Sequence, residues 1–294
     1  MKIGVLGGNG YLGGRISSYL NKFFDTSSIT RNIFEHPNCE NITVDYNSHT
    51  FISTLKNFDI ILNCTGSNKI KTLMDPKSSL KEKKQINLSI AKAASEKKIF
   101  VFHISSKHVY SLLHKDLTKK NGSIDQNIYA QNHLEAENAL IKNFDFSKGS
   151  NFQIIRLANC FGYSPTKSPE FNNLFMNQAI SALSIGQKIN INKPKEYVCF
   201  TSMEIVASYI KDTIQDLDKI ENYYIDLGVL YGFKLEDGND LIDLIINKKD
   251  ISKILKNNVN NYGTKFIKSN SKYNNPNYFI NEVIQTNQFI VDNL

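Results

Sequence analysis

The chain has 294 residues, of which 41% are hydrophobic and 21% are charged, and its formal net charge is +7. These values are ordinary for a globular protein with a sizeable core, and no apolar run reaches the length of a membrane span. The lysines are dispersed rather than gathered into one stripe, which argues against a nucleic-acid partner and favours small anionic ligands. The four cysteines are widely spaced, and neither a signal-peptide pattern nor metal-ligand spacing is visible, so we expect a cytoplasmic protein without a metal site.

The first half of the chain alternates short apolar segments with segments that carry apolar residues at helical spacing. The predicted strands are 2–6, 27–30, 42–44, 58–64, 99–105 and 152–158, and the predicted helices are 11–24, 50–56, 83–97 and 129–142. Strands that alternate with helices in this way are typical of an α/β fold with a doubly wound parallel sheet, the Rossmann architecture.

Beyond Gly162 the alternation becomes less regular. We therefore expect a dinucleotide-binding domain over residues 1–165 and a smaller α/β lobe that binds substrate over residues 166–294. The segment near 196–215, a predicted strand followed by a predicted helix, is expected to return to the first domain.

A glycine-rich turn, GGNGYLG, lies between the first predicted strand and the first predicted helix. Glycines permit a tight turn and let a pyrophosphate approach the unpaired N–H groups at the start of a helix. The pattern predicts that the turn binds a dinucleotide cofactor, and its alternative is a purely structural connection. The expected contacts come from Gly7, Gly10, Tyr11, Leu12 and Gly13. The glycines at positions 8, 10 and 13 also fit the related spacing G-x-G-x-x-G.

Two residues, one after each of the next two predicted strands, are candidates for contacting the adenosine end of that cofactor. Dinucleotide folds usually place an acid after the second strand, where it binds the ribose 2′-hydroxyl, and this chain has Arg31 there. A guanidinium can pair with a 2′-phosphate, so we expect NADP(H) to be favoured over NAD(H), unless Arg31 is only an exposed strand-end residue. Asp45 follows the third strand and is either near the adenine or in a turn.

Four further segments stand out along the chain: Asn87 in INLSIAKAA, HISSKHVY (103–110), IYAQNHLEAE (128–137) and IIRLANCFG (154–162). Together with the glycine turn they resemble, in order and spacing over about residues 1–215, the motifs of the extended short-chain dehydrogenase/reductases. This branch of the NAD-dependent epimerase/dehydratase family contains nucleotide-sugar epimerases, dehydratases and 4-keto reductases. The resemblance implies a nucleotide-sugar substrate and a homodimer packed through helices near 83–97 and 129–142.

The resemblance also implies roles for individual residues. Ser106 would hydrogen-bond the reacting carbonyl or hydroxyl, and Tyr129 would exchange a proton with it. Arg156 and Asn159 lie at the carboxyl end of a strand, where such sheets bind ligands. We expect both near the substrate, although a strand-end arginine is often only an ion-pair partner.

The chain departs from the family where a lysine normally follows the tyrosine by one helical turn, since His133 stands at that position. A histidine there lies on the same helix face and can bind a cofactor ribose hydroxyl, but with an ordinary pKa near ~6.5 it is mostly neutral at pH 7. Without a cation, oxidation by a tyrosinate base suffers more than reduction by a neutral phenol.

The resulting expectation is an NADPH-dependent reductase of a nucleotide-linked 4-keto sugar in surface polysaccharide synthesis. Two alternatives remain at this point. One is a nucleotide-sugar epimerase or dehydratase with the same fold, and the other is a non-catalytic NADPH-binding protein whose site has degenerated.

Overall fold

A computed structural model describes residues 1–66, 69–113, 124–166, 169–220, 223–227, 231–247 and 276–293. Its strands are β1 (Lys2–Leu6), β2 (Asp25–Thr30), β3 (Glu40–Thr43), β4 (Ile60–Asn63), β5 (Phe100–Ser106), β6 (Asn151–Leu157), β7 (Asn159–Phe161), β8 (Tyr197–Ser202), β9 (Tyr224–Leu227) and β10 (Tyr231–Lys234). Its α-helices are α1 (Tyr11–Leu20), α2 (His49–Leu55), α3 (Lys69–Met74), α4 (Pro76–Glu96), α5 (Tyr110–Leu113), α6 (Ile124–Asn143), α7 (Phe175–Ser184), α8 (Met203–Gln215), α9 (Leu235–Ile246) and α10 (Pro276–Val291). None of these described helices is long and apolar enough to cross a membrane.

Seven strands form one sheet in the order β3-β2-β1-β4-β5-β6-β9. β1 pairs in parallel with both β2 and β4, so that Val5 lies opposite Ser28 on one side and Leu62 on the other. β4 and β5 are also parallel. Because parallel strands end at the same edge of a sheet, the residues that follow β1, β4 and β5 are brought together there. The predicted doubly wound α/β fold is confirmed.

The main core lies between this sheet and the helices that follow its strands. Strand residues that are buried on one face pack against apolar residues of α2, α4 and α6. This cluster includes Leu6, Ile29, Ile61, Val101, Ile154, Phe51, Ile86, Ile90 and Leu140. The near-continuous apolar character of the strands reflects burial in a parallel sheet.

The chain divides into two compact units. The first comprises residues 1–156 and 221–225, and the second comprises 157–220 and 226–294. In the second unit β8 lies between β7 and β10, parallel to β7 and antiparallel to β10. The segment 196–215 therefore lies in the second unit, and the expectation that it returns to the first is wrong. The segment that returns is β9, which completes the large sheet beside β6. The ligand-binding role of each unit stays a prediction.

Helix α4 begins earlier than the predicted 83–97. Asp75 caps it by accepting a hydrogen bond from the Ser78 amide at 3.0 Å, and Pro76 occupies the first turn, where a missing N–H costs nothing. The apolar spacing that indicates the helix becomes regular only after the first two turns, because those turns are largely polar. Lys83 therefore lies well inside α4 rather than at its start.

Candidate active site

The glycine turn is held by the backbone and by one side chain, since the Gly7 amide also donates to the Tyr46 hydroxyl at 3.3 Å. Gly7 has a φ of +75°, a conformation that strongly favours glycine, and its amide donates to the Ile29 carbonyl at 3.0 Å. A Cβ on Gly13 would lie 2.3 Å from the Gly7 oxygen, so a side chain at Gly13 would push the first turn of α1 away from the end of β1. Gly7 and Gly13 are thus required by the geometry of the turn itself.

The turn presents the N-terminus of α1 at the carboxyl edge of the sheet. Gly10 is the N-cap in extended conformation and has no side chain to satisfy the first amides, while Tyr11 and Leu12 form the first turn. Backbone N–H groups and the helix dipole at such an end attract a phosphate. The turn therefore fits the pyrophosphate of a dinucleotide, and the individual contacts of Gly7, Gly10, Tyr11, Leu12 and Gly13 stay predictions.

Arg31 follows β2 directly, at the predicted adenosine end. Its Nη1 pairs with Glu82 Oε1 on α4, and its guanidinium carbon lies 5.7 Å from the centroid of the Tyr46 ring. The Arg31 side chain remains about half exposed (54%). The guanidinium is thus accessible to an anion, but a carboxylate already competes for it.

Asp45 takes the role of a turn residue. Its side chain accepts from the Asn47 amide at 3.0 Å, and its carbonyl accepts from the amide and hydroxyl of Ser48, the N-cap of α2. These contacts place Asp45 in the turn that leads into α2, and a contact between Asp45 and the adenine stays a prediction.

A buried polar network links the ends of β4 and β5 to α4. Asn63 Nδ2 donates to Asn87 Oδ1 and to His103 Nδ1, each at 3.2 Å. Asn87 in turn donates to the Lys83 carbonyl at 3.0 Å. Burial lowers the pKa of His103 to about 3, helped by the positive charge of Lys83, so its ring is neutral. The network fixes the ends of β4 and β5 against α4, the helix that carries Lys83.

Tyr129 is surrounded by aromatic rings and one cation. The ring of His133, one helical turn later on α6, lies 4.6 Å from the Tyr129 ring, centroid to centroid, in an edge-on arrangement. The His108 ring, from the short 3₁₀ helix Lys107–Val109, lies 5.8 Å away. Lys83 Nζ lies 5.5 Å from the Tyr129 ring centroid. The structure therefore brings the predicted Tyr129 and His133 together.

The environment keeps the acid–base groups of this cluster uncharged apart from the lysine. Burial raises the pKa of Tyr129 to about 12, so the phenol is protonated at neutral pH. Burial and the nearby Lys83 charge hold the pKa of His133 well below its usual range. Burial also lowers the pKa of His108 to about 4. His133 is thus neutral at neutral pH and is not the titrating group that its ordinary pKa would make it.

Ser106 ends β5 at the same edge of the sheet. It is buried, and its Oγ accepts a hydrogen bond from the His108 amide at 3.3 Å, which caps the 3₁₀ helix. Through His108 it is connected to the Tyr129 ring. Its hydroxyl hydrogen is not used by this contact and can be donated to a carbonyl, as the predicted role requires.

Arg156 is bound inside the first unit by a carboxylate. Its Nε and Nη2 donate to Glu137 of α6 at 3.1 and 2.6 Å, and Ser105 Oγ also donates to Glu137. The guanidinium carbon lies 4.8 Å from the centroid of Tyr110 and 4.5 Å from that of Tyr224. Both charged side chains are buried. Arg156 therefore has the alternative role of an ion-pair partner that joins α6 to β6, and a contact between Arg156 and the substrate stays a prediction.

Asn159 lies in the second unit, on β7. Its amide donates to the Cys199 carbonyl of β8 at 3.0 Å and so joins two neighbouring strands. A contact between Asn159 and the substrate stays a prediction.

Sequence reasoning missed three members of the cluster, Lys83, His103 and His108. His103 and His108 lie within the segment singled out around Ser106. Nothing in the sequence of that segment shows which of its residues line the site and which lie on the surface. Lys83 precedes Asn87 by one helical turn and so shares its helix face. That spacing was the available signal for Lys83.

Comparisons with known proteins agree with this geometry. A family model described as NAD dependent epimerase/dehydratase family matches residues 3–197. No curated protein matches the chain in sequence. Among solved structures, UDP-N-acetylglucosamine 4-epimerase from Methanobrevibacter ruminantium M1 in complex with UDP-N-acetylmuramic acid is similar, with a TM-score of 0.73 and 17% identity over 100% of this chain and 99% of that one.

Two further structures are similar over nearly their whole length. UDP-glucuronic acid 4-epimerase from Bacillus cereus, in complex with UDP-glucuronic acid and NAD, has a TM-score of 0.68 and 14% identity over 100% of both chains. TunA, an NAD-dependent NDP-hexosamine 5,6-dehydratase, has a TM-score of 0.67 and 12% identity over 100% of this chain and 98% of that one. At these identities the likeness concerns the fold. The family match over residues 3–197, on a doubly wound sheet with its glycine turn in place, identifies the chain as a member of the NAD-dependent epimerase/dehydratase family.

Proposed function

We propose that the protein is a reductase that transfers hydride from NADPH to the carbonyl of a nucleotide-linked 4-keto sugar in the synthesis of surface polysaccharide. The observation that carries this proposal is the protonated state of Tyr129. Burial raises its pKa to about 12, so the phenol keeps its proton at neutral pH. A phenol that stays protonated is prepared to give a proton to a carbonyl rather than to take one from an alcohol.

The residues of the first unit supply binding and proton transfer. The bound nicotinamide supplies the hydride. Ser106 donates a hydrogen bond to the carbonyl oxygen, and Tyr129 gives up its phenolic proton to that oxygen as negative charge develops on it. The ring of His133 lies beside Tyr129 on the same face of α6 and is available to a ribose hydroxyl of the cofactor. The amides of Tyr11 and Leu12 hold the pyrophosphate at the start of α1.

The nucleotide-sugar class of the substrate is supported by the similar structures, several of which contain UDP-sugars. The same structures favour a second candidate, because two of them are 4-epimerases and one is a dehydratase. An enzyme of either kind starts by oxidising its substrate and recycles the cofactor without net consumption. Net consumption of reduced cofactor therefore separates the two candidates.

The proposed reaction is tested with UDP-, dTDP- and GDP-linked 4-keto-6-deoxy-hexoses. With NADPH, we expect stoichiometric loss of reduced-nicotinamide absorbance and a new hydroxyl at C4 of the sugar, detected by NMR. Parallel reactions contain the corresponding 4-hydroxy nucleotide sugars without added reduced cofactor. Interconversion of those sugars at a comparable rate would replace the reductase with an epimerase. Cofactor binding without any turnover in either assay would show a site that has lost its chemistry.

The preference for NADPH depends on Arg31 and its competition with Glu82. A 2′-phosphate must take the guanidinium from Glu82, and that exposed ion pair contributes only about 0–1 kcal/mol. The carboxylate also repels the phosphate. We therefore expect NADPH to bind more tightly than NADH by roughly three- to tenfold, which is less than the about ten- to hundredfold that an uncontested charge-assisted contact supplies. Arg31→Asp should abolish or reverse the preference.

Glu82→Gln should strengthen NADPH binding and leave NADH binding nearly unchanged, because it removes the competing charge. Glu135→Gln is the matched control, since Glu135 also forms an exposed ion pair, with Lys84 of α4, away from Arg31. Calorimetric titration of both cofactors into the four proteins gives the comparison. Equal affinities of the wild-type protein for NADPH and NADH would remove Arg31 from the cofactor site.

A further inference from the structure

Lys83 is a buried cation inside the candidate site. Only 4% of the residue is exposed, and within the described part of the chain its Nζ has no hydrogen-bond partner. Burial lowers its pKa to about 8, which still leaves it mostly protonated at pH 7. An unpaired charge is rarely kept inside a protein, since burying it without a partner opposes folding. Its retention here calls for a functional reason.

The position of the ammonium group supplies that reason. Lys83 Nζ lies 5.5 Å from the centroid of the Tyr129 ring. A methyl group built on Gly66, just beyond β4, would come within 3.6 Å of the same nitrogen. A methyl group on Gly7 would likewise touch the backbone of Cys64 and Thr65. The ammonium therefore lies close both to the ring of the proposed proton donor and to the loop after β4, which borders the cofactor turn.

Several ionisable groups surround this cation, and their charges differ. Tyr129 is faced by the neutral rings of His108 and His133, and His103, which is also neutral, is close enough to act on the pKa of His133. The charged groups that act on the cluster from the neighbouring elements are Lys69 of α3, Glu82 and Lys83 of α4, and Lys107 of the 3₁₀ helix. Glu82 is paired with Arg31, and neither Lys69 nor Lys107 is buried. Within this group Lys83 is the buried charge.

We propose that Lys83, reaching in from α4, replaces the lysine that is absent from the Tyr-x-x-x-Lys pattern and stabilises the negative charge that develops on the Tyr129 oxygen. The inference rests on the proposed role of Tyr129 as proton donor. Lys83 acts through Tyr129 and is therefore a positioning residue. The missing cation of α6 is thus supplied by a different helix, and the site has not degenerated.

The kinetic test compares Lys83→Met with Lys84→Met. Lys84 is the next residue on α4, but its side chain is partly exposed and pairs with Glu135. We expect Lys83→Met to lower the turnover number by about 10- to 100-fold, with little change in the KM for cofactor, because a cation ~5 Å from a phenolate oxygen, at an effective dielectric of ~20, stabilises it by roughly that order. Lys84→Met should behave as the wild type.

The wild-type protein and Lys83→Met should also differ in pH dependence. Since Lys83 is charged only below about pH 8, wild-type turnover should fall above that pH, and Lys83→Met should lack this decline.

A rescue experiment separates the electrostatic role from a structural one. His133→Lys, introduced into Lys83→Met, returns a cation to the usual helix position and should recover at least about tenfold in turnover. Lys83→Met should also raise the melting temperature, because it replaces a buried unpaired charge by an apolar side chain of similar length. A stable Lys83→Met variant with wild-type turnover would overturn the proposal, and so would an unchanged alkaline decline or a failed rescue.

A further measurement needs no substrate, and it distinguishes failure of this inference from failure of the proposed function. Tyrosinate absorbance at pH 10 is compared between each Lys83 variant and the same variant carrying Tyr129→Phe, so that the difference reports Tyr129 alone. Lys83→Arg keeps a permanent cation and should show a larger tyrosinate fraction than Lys83→Met. If Lys83→Arg does not fold, the Lys83→Met/His133→Lys protein takes its place. Equal fractions would contradict the coupling even if the wild-type protein is an active reductase.

Discussion

Replacing Tyr129 by phenylalanine should lower the turnover number by about 10²–10⁴-fold, the usual contribution of a general acid. The substitution removes the phenolic hydroxyl but keeps the ring, and with it the edge-on contacts to His133 and His108. The walls of the cofactor pocket should therefore be preserved. We expect cofactor affinity to change by less than about threefold, because one uncharged hydrogen bond contributes only about 1 kcal/mol.

The measurement pairs steady-state kinetics with calorimetric cofactor titration. Tyr19→Phe is a matched control, because Tyr19 lies near the end of α1 with its ring against Phe23 and is given no part in the chemistry. It should retain wild-type values in both assays. If Tyr129→Phe kept wild-type turnover, the proton donor would have to be another group, and both the proposed reaction and the role of Lys83 would lose their basis.

Glu137→Leu should lower the free energy of unfolding by about 3–5 kcal/mol, the cost of breaking a buried ion pair on one side. The substitution leaves the Arg156 guanidinium buried between Tyr110 and Tyr224 without its carboxylate, and it also removes the acceptor of Ser105. The loss follows from the burial of both partners, since exposed ion pairs contribute far less. Chemical denaturation of the wild type and the variant gives the difference.

The double variant Glu137→Leu/Arg156→Met is the control for this interpretation. It removes both charges at once and should recover most of the lost stability, because an apolar pair avoids the cost of an uncompensated charge. Lys56→Met, which breaks an exposed pair with Glu96, should change stability far less than Glu137→Leu does. A loss below about 1 kcal/mol in Glu137→Leu would show that the pair is not a structural link between α6 and β6.

The regular elements of the first unit could be predicted because their patterns are local. A buried parallel strand is a short apolar run, and an amphipathic helix repeats its apolar residues every three or four positions. β1 lies at its predicted position, and the predicted strand 99–105 corresponds to β5 (Phe100–Ser106). The early start of α4 was missed because its first turns are polar, although Asp75 followed by Pro76 is a helix-start signal.

The second unit was harder to predict for a related reason. β7 is only three residues long and follows β6 after one residue, so no sequence pattern separates the two strands. β9 was expected in the smaller lobe, yet it completes the large sheet beside β6. Which sheet a short apolar run joins depends on pairing with residues distant in the chain. Local spacing carries no information about that pairing.

The sequence by itself identified the glycine turn, singled out Ser106 and Tyr129 as candidate site residues, and showed that position 133 has no lysine. Each of these depends on residue identity at a short spacing. Tertiary structure alone decided the state of the charges. Arg31 meets Glu82, and Arg156 meets Glu137, across separate elements, and Lys83 reaches Tyr129 from another helix. The physical reason is that electrostatic interaction depends on distance through space and on burial. Both are established only when helices and strands far apart in sequence pack together, so the partner of a charge is a property of the fold.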